Sequence, residues 1–121
     1  MQNVVQVIEN TEEFADCQYF EDIANPKTCA VCALGALIRN LPDDKYENVM
    51  EALNGSRGKW LNGASIEHPD AAVLAKPLME HYGLRMETLI DLQRANDTSD
   101  GTLRRKEVLE IAKGTLRPDD T

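Results

Sequence analysis

The chain is poor in aromatic residues, in cysteine and in long apolar runs, and each shortage excludes something. Two Phe, three Tyr and one Trp make up 5% of 121 residues, so the core must rest on Leu, Ile, Val, Ala and Met. Three cysteines are too few, and odd in number, for a full disulfide framework. No apolar stretch approaches the ~18 residues that a spanning helix needs. The first residues, Met1 to Glu9, lack the basic flank and long apolar run of a secretory signal. Cysteines without an export signal point to a reducing cytosol. Positive charge is also short. The formal net charge is −8 and the pI is about 4.7, which argues against nucleic acid and against an anionic membrane surface.

The missing positive charge is unevenly placed. Residues 1–26 hold Glu9, Glu12, Glu13, Asp16, Glu21 and Asp22 and no base at all. The rest of the chain is nearly balanced, with fifteen acids against thirteen bases. Such a segment is either a solvated face or a docking surface for a basic partner.

What is present is helical punctuation. The expected fold is a single all-α domain over residues 1–116, with about five or six helices and a flexible tail at 117–121. Val4, Val5, Val7 and Ile8 suit a short helix or a strand equally. Thr11-Glu12-Glu13 signals a helix start, and Asn25-Pro26 ends that helix. The central helix is expected from Thr28 to Asn40, because Ala30, Ala33, Gly35 and Ala36 allow close packing around it. Pro42-Asp43-Asp44 opens another helix and Asn54-Gly55 closes it. Residues 55–66 read as a long loop. Pro69-Asp70 opens a helix that Pro77 must kink or split, and Gly83 caps it. Two further helices are expected at Arg85–Ala95 and Leu103–Lys113.

Four patterns bear on chemistry. Cys29-x-x-Cys32 has the spacing of a redox dithiol or of half a zinc site. A zinc site needs further ligands, and only Cys17, His68 and His81 remain. The alternative is a core Cys32 with Cys29 partly buried at the helix start, where the helix would lower its pKa. Either thiol with His68 or His81 also offers a nucleophile–base pair for a cysteine-dependent enzyme.

The second pattern is Asn96 to Glu107. It aligns with a calcium loop carrying Asp100 and Gly101 at the fifth and sixth positions and Glu107 at the closing one. Arg104, Arg105 and Lys106 oppose a dication there. The competing reading is a helix–helix connection in which Asn96 takes a left-handed cap and Ser99 or Asp100 caps the next helix. Third, His81-Tyr82-Gly83-Leu84 could turn a helix-turn-helix, but Lys76, Arg85 and Arg94 are matched by Glu80, Glu87 and Asp91. Fourth, Trp60 stands beside Arg57 and Lys59 in a glycine-rich loop too loosely spaced for a phosphate loop. Trp60 is either a contact patch or a plug under the loop.

Cys32-Ala-Leu-Gly-Ala-Leu37 and Ile90-x-Leu-x-x-x-Asn-Asp97, followed by an apolar helix at Val108, resemble a family of small helical proteins from bacteriophages and bacteria. That family is a domain of unknown function. The resemblance covers residues 17–40 and 84–113. It implies a helical fold, a bacterial cytosol and a structural turn at Asn96-Asp97, and it brings no cofactor. The leading expectation is a non-enzymatic interaction module, a phage-encoded modulator or inhibitor of a host protein. Its partner surface would be basic, and its own contact residues would be Glu12, Glu13, Asp16 and Trp60. The alternatives are a small metal-binding protein, with zinc on the thiols or calcium on the Asn96–Glu107 loop, and a cysteine-dependent enzyme.

Overall fold

The structure, a computed structural model, describes residues 3–15, 18–55, 58–99 and 101–115. Within them lie seven α-helices: α1 (Val4–Glu9), α2 (Ala33–Arg39), α3 (Asp43–Leu53), α4 (Gly58–Leu61), α5 (Ala72–Tyr82), α6 (Met86–Thr98) and α7 (Gly101–Lys113). A 3-10 turn at Pro69–Ala71 leads into α5. No strand is formed among the described residues, only two isolated bridges. The fold is all-α, and among the described residues no helix is long and apolar enough to cross a membrane. The tail at 117–121 lies outside the described residues.

α2 is the centre. Every residue from Ala33 to Ile38 is buried, and α2 touches α1, α3, α5 and α6. α1 resolves the ambiguity at Val4–Ile8 in favour of a helix. Asn3 and Gln6 close a capping box at its start, with both bonds at 2.9 Å. All four of its apolar residues are buried.

The helix expected over 12–24 is not formed among its described residues, 12–15 and 18–24. The Thr11 side chain, which would have capped it, donates backward to the Val7 carbonyl at 2.8 Å and closes α1 instead. Beyond it the chain runs irregularly. Val31 pairs with Phe14 in parallel and with Phe20 antiparallel. The supporting bonds are Ala15 N–H to Val31 O (2.8 Å), Glu21 N–H to Ala30 O (2.9 Å) and Cys32 N–H to Tyr19 O (3.2 Å). Tyr19 and Phe20 are fully buried neighbours, an arrangement that one face of a helix does not allow.

The same pairing shortens the central helix. Val31 is held extended by its two neighbours, so α2 starts at Ala33 with Cys32 as its N-cap, not at Thr28. Gly35 explains itself here. A Cβ on it would lie 1.9 Å from the Tyr19 carbonyl oxygen, so its smallness admits a loop backbone rather than a second helix.

Two smaller differences concern α4 and α5. α4 occupies part of the expected loop, because Gly58 packs where a Cβ would stand 1.7 Å from the Leu53 carbonyl. α5 runs unbroken through Pro77. The carbonyl that Pro77 deprives of a donor belongs to Val73, which is exposed and open to solvent. Gly83, at φ 68°, ends α5 as expected.

Gly35→Ala is expected to cost about 1–3 kcal/mol, the range for forcing volume into a packed core. Gly55→Ala meets nothing closer than 3.4 Å and serves as the control. Urea unfolding midpoints read both; a neutral Gly35→Ala would mean that Tyr19 does not approach α2 as described.

Candidate functional site

The two thiols are in different environments. Cys32 is buried at the head of α2, where its Sγ accepts from the Gly35 N–H at 3.3 Å. Burial pushes its pKa from 9.0 up to about 12, and the Gly35 donor only partly opposes this. Asp97 beside it raises it further. Such a thiol stays protonated and is no nucleophile at neutral pH. Cys29 is half-buried and lies four positions before α2, not at the helix start as expected. His68 and His81 are engaged elsewhere. His68 Nδ1 accepts from the Asp70 N–H at 3.1 Å and its ring meets Trp60 edge-on at 4.7 Å. His81 packs edge-on against Tyr82, and burial lowers its pKa. Cys17 lies outside the described residues. Among those described, no three His, Cys, Asp or Glu side chains gather as metal ligands would.

The 96–107 stretch, weighed against a calcium loop, is helical over most of its described residues. α6 continues through Asn96 and Asp97 to Thr98, and α7 opens at Gly101. Asn96 is neither a left-handed cap nor a ligand. It is a fully buried helical residue whose Oδ1 accepts from the Ala33 N–H at 3.0 Å and whose Nδ2 donates to the Ala15 carbonyl at 2.9 Å. This also replaces the turn that the family resemblance implied at Asn96-Asp97. Glu107 sits on α7 and accepts from the Ser99 hydroxyl. Asp100 lies outside the described residues.

The arginines taken as a barrier to calcium have another task. Arg105 reaches from α7 across to the end of α1 and the segment after it. Its guanidinium donates to the carbonyls of Ile8 (2.9 Å), Glu9 (3.4 Å), Thr11 and Glu12 (3.3 Å), and it lies 5.0 Å from the Phe14 ring centroid. A cation at a helix C-terminus is favourable, and here one guanidinium caps the helix and fixes the chain that leaves it. Buried Arg104 adds a bond from Nε to Ser99 O at 2.8 Å and one from a terminal nitrogen to Phe14 O at 3.4 Å.

The consequence is that Glu12 and Glu13 form an exposed ridge with an ordered backbone. The ridge borders two depressions. One, of about 530 Å³, also has Lys27, Cys29 and Arg39 in its wall. The other, of about 420 Å³, is lined by Phe14, Thr102, Arg104 and Arg105. Glu9, Glu21 and Asp22 are exposed too, while Asp16 lies outside the described residues. Trp60 is not a plug: it is 47% exposed on α4. Sequence reasoning placed the acids but missed Arg105, Lys27 and Arg39. No local pattern marked them, since each acts on backbone carbonyls of segments other than its own.

A third depression, of about 340 Å³, reaches Cys32 beside Asn62, Gln93, Arg94 and Asp97. Its polar side chains are used internally. Gln93 donates to the Tyr19 hydroxyl at 3.1 Å and accepts from the Ile66 N–H at 2.7 Å. Asn62 holds both the N–H and the carbonyl of Phe20, at 3.0 and 2.7 Å.

No protein-family model, no curated protein and no solved structure matches the chain.

Two outcomes are expected. Above pH 9 the unfolded chain's thiol ionises while folded Cys32 keeps its proton. The unfolded state then binds fewer protons, and stability falls as pH rises past 9. Cys32→Ala should flatten that decline in melting temperature; an unchanged slope would mean that Cys32 is not buried as a thiol. Asn96→Asp should cost about 1–3 kcal/mol, since it removes the donor to a buried Ala15 carbonyl and adds a buried charge. A near-neutral result in denaturant unfolding would remove Asn96 from the core.

Proposed function

We propose that this chain is a non-catalytic protein-interaction module that binds a basic surface through its acidic N-terminal segment. The observation that carries the reading is the Arg105 clasp. It binds four consecutive-region carbonyls, and Glu12 and Glu13 are left in solvent on a fixed backbone. A segment that is already ordered loses little entropy on binding, which favours affinity. A cluster of acids with no base among its 26 residues also attracts a basic partner over distance, an effect that acts on association rate and is screened by salt. Buried, protonated Cys32 speaks against thiol catalysis at that residue.

The likeness of Cys32–Leu37 and Ile90–Asp97 to phage and bacterial proteins supports a bacterial host protein as the partner and the bacterial cytoplasm as the setting. A phage-encoded modulator or inhibitor fits these terms. Trp60, exposed beside His68, supplies a second contact of the amphipathic kind that interfaces favour.

The test is paired affinity capture from a bacterial lysate, with the wild type and Glu12→Gln/Glu13→Gln as baits. A basic protein should be retained by the wild type, released by raised salt, and retained about fivefold less by the variant, the scale of one or two exposed charge pairs. Both baits should melt alike, because the two side chains are exposed. Equal capture by both baits would show that the acids serve solubility alone.

A further inference from the structure

The depression lined by Glu12, Glu13, Lys27 and Arg39 carries charges of both signs, and they do not pair. Neither glutamate lies within ion-pairing distance of either cation; the ion pair seen among the described residues is Lys45–Glu80, at 3.7 Å between α3 and α5. The cations are held back by other partners. Lys27 Nζ donates to the Arg39 carbonyl at 3.1 Å and stands 3.9 Å over the Tyr46 ring. Arg39 donates to the Cys29 carbonyl at 3.0 Å. The glutamates are held by their backbone: the Glu13 carbonyl accepts from Val31, and the Glu12 carbonyl from Arg105. Folding has therefore left acids and bases lining about 530 Å³ of open space without pairing them to each other. That volume lies within the range of ligand sites.

We propose that this groove is the seat of the partner, and that it takes an extended peptide segment in which a Lys or Arg adjoins an Asp or Glu. The basic side chain meets Glu12 and Glu13, and the acidic one meets Lys27 and Arg39. This rests on the interaction reading above and narrows it. A uniformly basic surface would satisfy the ridge but face Lys27 and Arg39 as like charges, a repulsion that costs specificity to the wrong partner. A dipolar segment satisfies both signs of charge.

Cys29 lines the same groove and is half-buried, so it reports occupancy. The probes are fluorescein-labelled, glycine-flanked peptides carrying Arg-Asp, Arg-Arg or Asp-Asp at the centre. Anisotropy at low salt measures binding, and mass spectrometry of the Cys29-containing fragment measures its alkylation by iodoacetamide. The Arg-Asp peptide should bind best and slow Cys29 alkylation in the wild type. Glu13→Gln and Lys27→Met should each weaken it about three- to fivefold, the scale of an exposed charge pair. Lys27→Met keeps the alkyl stem over Tyr46, and melting temperatures verify that both variants fold. If Arg-Arg binds as well as Arg-Asp and Lys27→Met has no effect, the groove assignment fails while the acidic ridge stands. If Cys29 alkylation is unchanged by every peptide, the groove assignment also fails, and the paired-bait capture decides the ridge on its own.

Discussion

Asn96 ties together three parts of the chain that share no local sequence. Its side chain takes the N–H of Ala33 and the carbonyl of Ala15, residues 63 and 81 positions away. The first bond satisfies one of the donors that the start of α2 leaves open. The second anchors the irregular segment that carries the acids. α6 supplies the platform, and α2 and the N-terminal segment are set on it. Removing one of these bonds strands a polar group in the core, which is why a single amide governs so much of the arrangement.

Helices whose ends are marked by local chemistry were legible. Pro42-Asp43-Asp44 and Asn54 bracket α3, and Gly83 ends α5, as residue types alone require. The misreadings fall where a distant partner overrides a local signal. Thr11 looks like a forward cap until Val7 is found to take its hydroxyl. Cys29–Val31 look helical until Phe14 and Phe20 are found on either side of Val31. Asn96-Asp97 looks like a turn because asparagine favours caps, yet the Ala33 and Ala15 backbone groups hold it inside a helix. Tertiary hydrogen bonds of this kind leave no periodic trace.

The site was half legible. Glu12 and Glu13 stand out in composition, since no base precedes residue 27. Their ordering does not, because it depends on Arg105 93 residues further on. In the sequence Arg104, Arg105 and Lys106 form one basic run. In the fold Arg104 is buried, Arg105 is spread over backbone carbonyls and Lys106 is exposed, so three adjacent cations have three separate roles.

The pairing around Val31 has one more consequence. Residues 13–15, 30–32 and 19–21 lie side by side as a fragment of sheet too small to count as one. Such a fragment would ordinarily offer its flanks as a template for another extended chain. Here side chains occupy them. Asn62 takes both backbone groups of Phe20, and Arg104 and Arg105 take the carbonyls of Phe14, Thr11 and Glu12. These bonds occupy backbone groups that an added strand would need, which works against self-templated pairing at those positions.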